Sequence, residues 1–353
     1  MTAVVDRTRL PRPGPAPAAR FPAVARRRLA SGMALRTGRH PGPPVVHWLL
    51  LWPSGAAADP PARPGLAALA AALLDEGTEA RSVLELHGAL DRLGARLGVQ
   101  VGADATMVSL TTLEHHAAEG LALLFEIVTR PRFAAGDFDR VRDLRRSRVR
   151  QMRTVPAAVA ERVYLETLYH EHPYGHLGIG TDAALSQMTV DDVRRFHGER
   201  YRLGAATLIA TGPLSDEAFA DVAERAVGNL PAGAADVREP AAGAAAGAPG
   251  PPPARLVLVD RPGAVQSELR IGHVAAPRRT PDYYALKVLN MVLGGQFVSR
   301  LNRSLREEKG YTYGVRTAFQ FRRAPGPFVI QGSVQGHAPV EAVRQGLGEV
   351  EGV

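Results

Sequence analysis

Residues 231–253 contain little besides Ala, Gly and Pro and show no apolar periodicity. A stretch of this composition cannot bury enough apolar surface to fold, so it predicts a linker between two domains. The length of 353 residues agrees with two domains, since most single domains are shorter. We therefore predict a disordered arm over residues 1–20, an N-terminal domain over 21–230, a linker over 231–254 and a C-terminal domain over 255–353.

The apolar pattern of the N-terminal domain mixes strands and helices. Two strands are predicted around a turn at Ser31 and Gly32, the second over residues 45–52, before an Ala/Leu helix over 65–75. Ser82 and Glu85 have the spacing of a capping box, which predicts the start of an amphipathic helix over 82–97. Further strands are predicted over 99–101, 105–112 and 206–211, and further helices over 117–128, 138–153, 157–169, 190–201 and 216–227.

The opening pattern returns after the linker. A strand over 255–259, a turn at Pro262 and Gly263, a strand over 266–273 and a helix over 281–293 repeat the order of the first half. A helix end over 301–306, a strand over 311–320 and one helix over 340–353 follow, so the C-terminal domain is expected to be incomplete. The predicted fold class is α+β, with two homologous domains that are each an antiparallel sheet with helices packed on one face.

Composition excludes several kinds of site. The chain has no cysteine, so disulfides, a thiolate nucleophile and a Cys-ligated metal are impossible. The formal charge is +8, but only Lys287 and Lys309 are lysines among 43 basic residues, and this compositional bias weakens the charge as a sign of polyanion binding. No apolar run suits a signal peptide or a membrane span, so we expect a soluble, cytoplasmic protein without membrane or nucleic-acid partners.

An Ala-rich segment carries the main functional signal. Residues 65–78 read Gly-Leu-Ala-Ala-Leu-Ala-Ala-Ala-Leu-Leu-Asp-Glu-Gly-Thr. They resemble the zinc helix of the insulinase, pitrilysin and mitochondrial processing peptidase family, in which His-x-x-Glu-His precedes a Gly-Thr. In that motif two His on one helical face bind zinc, and the Glu takes a proton from zinc-bound water. The resemblance places Ala68 and Ala72 at the ligand positions and Ala71 at the general base.

The resemblance implies that the third zinc ligand is missing as well. That ligand is a Glu on a later helix and aligns with Arg148, and residues 145–150 include no acidic residue. We therefore expect neither a metal nor another cofactor in this chain. In the family's fold this helix faces an interior chamber, so Arg148 is also a candidate for binding acidic peptide segments.

Other phrases of the same family occur in order at residues 53–60, 172–175, 294–301 and 305–314, and the resemblance extends from about residue 24 to the C-terminus. In the last phrase Arg306 and Tyr313 match the family's Arg/Tyr pair, with Tyr311 as the alternative tyrosine. A guanidinium and a phenol both donate hydrogen bonds and can hold a carbonyl oxygen that gains charge. On spacing alone, the two residues could equally be structural.

The resemblance implies a non-catalytic subunit of a heterodimeric zinc endopeptidase that acts on short or unfolded peptides. A zinc-bearing homologous partner would supply the metal, the water and the base, and this chain would supply Arg306 and Tyr313. Two alternatives remain, namely an inert peptide-binding or scaffold protein of the same fold and an Arg-rich polyanion-binding protein. A replacement metal site is a weaker alternative, and its candidate residues are Glu114, His115, His116, His170, Glu171, His172 and His176.

Overall fold

The computed structural model describes residues 14–15, 18, 21–230 and 255–352. The predicted linker over 231–254 and all but three residues of the predicted arm over 1–20 lie outside the described residues. The described part forms two units, each built around its own sheet.

The first unit contains a six-stranded sheet. Its strands lie in the order β1-β2-β6-β3-β5-β4, and every neighbouring pair is antiparallel except the parallel pair β2 and β6. The strands are β1 (Ala25–Arg28), β2 (Ala34–Arg39), β3 (Val45–Trp52), β4 (Arg96–Val101), β5 (Thr106–Leu113) and β6 (Thr207–Gly212).

The predicted pairing around Ser31 and Gly32 is wrong in one respect. That turn joins β1 to β2, whereas residues 45–52 form a third strand, β3, in the interior of the sheet. The prolines at 41, 43 and 44 separate β2 from β3, because proline lacks the backbone N–H that a ladder needs. Along β3 every second side chain is buried, and Trp48 and Trp52 are fully buried in the core.

Eight helices of the described chain accompany the first sheet. The capping box at Ser82 is confirmed, but its helix ends at Arg92 because the chain turns at Gly94, where φ is +55°, and then enters β4. The helices are α1 (Leu66–Ala72), α2 (Val83–Arg92), α3 (Ala117–Thr129), α4 (Ala135–Met152), α5 (Pro156–Tyr169), α6 (Asp182–Ser186), α7 (Val190–Arg200) and α8 (Asp216–Gly228).

The second unit has a three-stranded antiparallel sheet in the order β7-β9-β8. Its strands are β7 (Gln266–Val274), β8 (Thr312–Phe319) and β9 (Pro327–Gln335), and its helices are α9 (Tyr283–Asn290), α10 (Arg300–Asn302) and α11 (Pro339–Glu351). Two π-helical turns, Met291–Gly295 and Arg303–Glu308, follow α9 and α10. The predicted strand over 255–259 is wrong, since these residues pair with no strand in the described part of the chain.

Helix α5 connects the two units by packing on the second sheet. The Tyr164 hydroxyl donates to the Phe328 carbonyl at 2.6 Å, and Arg270 forms an ion pair with Glu161 at 3.1 Å. Val274 packs with the α5 side, whereas Ile271 packs in the core on the opposite face. The second unit's own helices pack on the face of Ile271, as predicted, and α5 of the first unit covers the other face.

Candidate functional site

Helix α1 carries the three alanines at the expected zinc and base positions, and a buried carboxylate fixes its N-terminus. Asp59 accepts hydrogen bonds from the backbone N–H groups of Gly65 at 2.6 Å and Ala67 at 2.7 Å. The Nε2 atom of His176 lies 3.0 Å from the same carboxylate. These bonds satisfy N–H groups that have no partner inside a helix, so the helix is anchored without a metal.

The alanines offer no chemistry of their own. Ala71 is buried and Ala68 and Ala72 are half-buried, and their methyl groups have neither a lone pair for zinc nor a proton to exchange. The residues present therefore do not fit a zinc ion at this place. Among the residues that the structure describes, no group of three or more His, Asp or Glu could hold a metal ion.

An open cleft of about 370 Å³ lies beside these alanines. Six of its nine lining residues are apolar, and two of the others, Glu76 and Arg140, form an ion pair with each other. The lining residues come from α1 and the residues just after it, β4 and α4, and are Ala71, Ala72, Asp75, Glu76, Leu97, Val99, Arg140, Val141 and Leu144. The cleft thus places the apolar side chains of Leu97 and Val99 beside charged ones on β4, which is the last strand of its sheet.

Arg148 is exposed on α4 and donates to the Gln151 side chain at 2.8 Å. It lies one turn beyond Leu144, which lines the cleft, and is not itself among the lining residues. We predicted no separate role for Arg145, which lies on the same helix. Burial lowers the pKa of Arg145, although the charge of Asp59 opposes this, and its buried Nε has no hydrogen-bond partner.

Helical periodicity could have identified Arg145. It continues the buried stripe of α4, which Phe138, Val141 and Val149 form at helical spacing. The other arginines of α4 are mostly paired with acidic side chains, since Arg142 contacts Asp139 at 3.0 Å, and Arg146 and Arg150 both contact Asp182 at 2.9 and 3.2 Å. The hydrogen bond from Arg146 accordingly lowers the pKa of Asp182.

Arg306 lies in the π-helical turn after α10, in the second unit. Its guanidinium carbon stacks 3.7 Å from the ring centre of Phe297. The Nη1 atom is buried without a hydrogen-bond partner, and its nearest carboxylate, on Glu307, is 4.0 Å away. The stack fixes the position of the guanidinium while leaving one of its donors unused.

Tyr313 lies on a bulge of β8, where the register with β9 shifts between Thr312 and Val315. The Thr312 hydroxyl accepts from the Gly314 N–H at 3.0 Å and stabilises this bulge. Tyr313 is 91% exposed, whereas Tyr311 packs against the core, so Tyr313 is the freer phenol. Arg306 and Tyr313 both lie in the unit that does not carry α1, and no hydrogen bond joins them within the described chain.

Two histidines of the alternative metal site make structural contacts. His176 contacts Asp59, and the Nδ1 atom of His172 accepts from the backbone N–H of Tyr174 at 3.1 Å. His115 and His116 lie on a helical turn after β5, not on a continued strand, and their ring centres are 4.2 Å apart. In the described ranges no helix is long and apolar enough to cross a membrane.

Comparison with known proteins matches both halves of the chain. The model of insulinase (peptidase family M16) matches residues 39–182, and that of the peptidase M16 inactive domain matches residues 187–351. An uncharacterized zinc protease of Mycobacterium tuberculosis is 29% identical over 252 residues, which are 70% of this chain and 55% of the relative. A non-peptidase homologue of Helicobacter pylori is 22% identical over 263 residues, which are 73% of this chain and 58% of the relative.

Solved structures agree in fold. A peptidase M16 inactive domain from Pseudomonas fluorescens superimposes with a TM-score of 0.85 at 26% identity, covering 93% of this chain and 79% of the other. A protease from Helicobacter pylori superimposes with a TM-score of 0.83 at 18% identity, covering 92% of this chain and 78% of the other. The chain spans little more than half the length of the curated relatives named above. It belongs to the M16 (insulinase) peptidase family and is a homologue of the inactive type.

Proposed function

We propose that this chain is a non-catalytic subunit that pairs with a zinc-bearing homologue and helps it cleave short or unfolded peptides. The observation that carries the proposal is helix α1, which is folded and anchored by Asp59 although alanine fills its three reactive positions. Its place in the fold is retained while its chemistry is lost. A chain of this kind can contribute to hydrolysis only through a partner.

Peptide binding is supported by the edge of the first sheet. Strand β4 ends the sheet, so one row of its backbone N–H and C=O groups has no strand partner within the described residues. Leu97 and Val99 of the same strand line the apolar cleft. An extended peptide could pair with β4 as an added strand and place an apolar side chain in the cleft.

The geometry of Arg306 and Tyr313 supports a role in the partner's site. The Arg306 side chain is 30% exposed and Tyr313 is 91% exposed, so both are accessible to a partner's site. In the complex they would donate to the substrate carbonyl oxygen as it gains negative charge. Removing one such donor from an oxyanion site typically lowers the rate about 10² to 10³-fold.

The test is co-expression with a homologue that carries His-x-x-Glu-His, followed by zinc analysis, light scattering and peptide cleavage. We expect Arg306→Ala and Tyr313→Phe to lower kcat without weakening association. Arg303→Ala and Tyr284→Phe are matched controls, because both side chains are largely exposed in the same unit. Full activity of the partner without this chain would refute the proposal, and an inactive mixture would favour the scaffold alternative.

Arg148 tests whether α4 selects peptides by charge. Its exposed guanidinium should attract acidic segments, so Arg148→Glu is expected to shift the cleavage preference of the complex toward basic peptides. Arg344→Glu makes the same charge change on the exposed side of α11 and should leave the preference unaltered. An equal shift in both variants would mean that net charge, and not this site, is responsible.

A further inference from the structure

The family-like phrase at residues 172–175 has no part in the proposed function, yet its tyrosine is buried. Tyr174 is only 3% exposed although it lies in a loop. Its hydroxyl donates a hydrogen bond to the carboxylate of Asp104, in the turn between β4 and β5. The same hydroxyl accepts from the backbone N–H of Ala324, in the second unit, at 3.2 Å. Tyr174 therefore joins the two units.

Residues 320–326, the hairpin tip, connect β8 to β9. Backbone hydrogen bonds hold this tip in the second unit. The Arg322 carbonyl accepts from the Arg278 N–H at 2.8 Å, and the Gly326 carbonyl accepts from the Ala275 N–H at 2.7 Å. The hairpin tip is thus a fixed part of the second unit, and a contact with it is a contact with that whole unit.

Asp104 uses both carboxylate oxygens at this contact. Oδ1 accepts from the Tyr174 hydroxyl, and Oδ2 accepts from the backbone N–H of Arg323 at 2.7 Å. Hydrogen bonds to an ionised acceptor are stronger than those between neutral groups, and Asp104 is half-buried. Burial, together with the bond to Asp104, raises the pKa of Tyr174 to about 12, so the hydroxyl remains a donor at neutral pH.

Two further contacts hold the hairpin tip. The Tyr169 hydroxyl, at the end of α5, donates to the Pro325 carbonyl at 3.0 Å. The guanidinium carbon of Arg322 lies 4.6 Å from the ring centre of Tyr174 and 5.5 Å from that of Tyr169. The hairpin tip therefore receives side chains from three segments of the first unit, namely the β4–β5 turn, the end of α5 and the loop after it.

We infer that Asp104, Tyr169 and Tyr174 form a conformational lock that fixes the orientation of the second unit relative to the first. Units of one chain that share a small interface usually move relative to each other. A sheet that rests on one helix, here α5, can rock about the axis of that helix. Asp104 comes from a different element, so it supplies a second point of attachment that prevents this rocking.

The lock also determines where Tyr313 lies. Tyr313 precedes the hairpin tip by seven residues along β8, which is about 23 Å at about 3.3 Å per residue. Rocking of the hairpin by about 10° would then move Tyr313 by about 4 Å, which is more than a hydrogen bond tolerates. This consequence rests on the proposed function, whereas the lock itself does not.

Distances between spin labels in the full chain test the lock. The chain has no cysteine, so Leu84→Cys and Tyr284→Cys introduce one pair, with one exposed position in each unit. We expect a single narrow distance distribution in this background, and a distribution at least twice as wide when Asp104→Ala is added. Asp104→Asn should give an intermediate width, because its amide oxygen can still accept from the Arg323 N–H.

Glu171→Ala is the matched control. It removes an exposed carboxylate from the loop that carries Tyr174 and should leave the distribution unchanged. Arg322→Ala weakens the same contact from the second unit and should widen the distribution. Tryptophan fluorescence shows whether the first unit remains folded in each variant. If Asp104→Ala unfolds that unit, the width measured for Arg322→Ala decides, because Arg322 lies outside it.

Three results would overturn the inference. The first is a distribution that is already broad in the labelled parent. The second is an equal width with and without Asp104→Ala or Arg322→Ala. The third is a widening that Glu171→Ala reproduces. None of these results depends on a zinc-bearing partner, so the lock and the proposed function can fail separately.

Discussion

Replacing Asp59 tests whether α1 is held by its buried cap. Both carboxylate oxygens accept a backbone N–H at the start of the helix, and His176 contacts one of them. Asp59→Ala removes a cap worth about 1 kcal/mol. It also leaves buried donors unsatisfied at about 1–3 kcal/mol each. Allowing for water that enters, we expect a loss of about 3 kcal/mol in the free energy of unfolding of the first unit.

Asp59→Asn tests how much one of the two carboxylate oxygens contributes. An amide keeps one acceptor, but its NH₂ group then faces a backbone N–H, so we expect a loss of about 1–2 kcal/mol. Asp139→Ala is the matched control, because that carboxylate is exposed and forms only a surface ion pair with Arg142. This control substitution should lower the free energy of unfolding by less than about 1 kcal/mol.

Urea unfolding followed by tryptophan fluorescence is the appropriate assay. Both tryptophans of the chain, Trp48 and Trp52, lie on β3 in the core of the first unit, so the signal reports that unit. The expected order of midpoints is wild type, then Asp139→Ala, then Asp59→Asn, then Asp59→Ala. If Asp59→Ala is no less stable than Asp139→Ala, the cap does not hold the helix and the reasoning fails.

Three further predictions concern the first unit. Gly65 has a φ of +101°, and a Cβ added there would come within 2.8 Å of backbone atoms, whereas a Cβ added at Gly94 would have open space. Gly65→Ala should therefore lower the free energy of unfolding by about 2–4 kcal/mol, and Gly94→Ala by about 1 kcal/mol. Equal decreases in the melting temperatures of the two variants would contradict this prediction. Burial lowers the pKa of His197, so stability should fall as the pH drops below about 6.5, where only the unfolded chain takes up the proton. In the His197→Gln variant the urea midpoint should depend less on pH between pH 7 and pH 5 than in the wild type. An unchanged pH dependence would exclude His197 as its cause. Chelators should leave the melting temperature unchanged, and a decrease would reveal a metal site outside α1.

Local patterns in the sequence predicted local structure well. The alternation along 45–52 and the Ser82 capping box each depend on neighbouring residues, and β3 and α2 formed accordingly. Non-local pairing was not predictable in this way. The parallel pairing of β2 with β6 joins segments about 170 residues apart, and β9 was not predicted at all. Residues 255–259 have the pattern of a strand, but a strand also needs a partner.

In the candidate site, too, local placement could be predicted from the sequence, whereas the surroundings of each side chain could not. The sequence placed Ala68, Ala71 and Ala72 on one helix, and the structure has them on α1. Spacing alone could not distinguish the exposed Arg148 from the partly buried Arg145, because their environments depend on which face of α4 packs inward. Nor could it reveal the stacking of Phe297 on Arg306, since the π-helical turn that aligns them is a feature of the folded chain.

The anchoring of α1 explains how the helix can keep its place without zinc. Its N-terminus is held by Asp59, its buried face packs in the core through Leu66 and Leu69, and neither interaction needs a metal. Helix α9, which follows β7 as α1 follows β3, also folds without a metal-binding group among the described residues. In this fold the sheet and the core therefore determine where the helix lies.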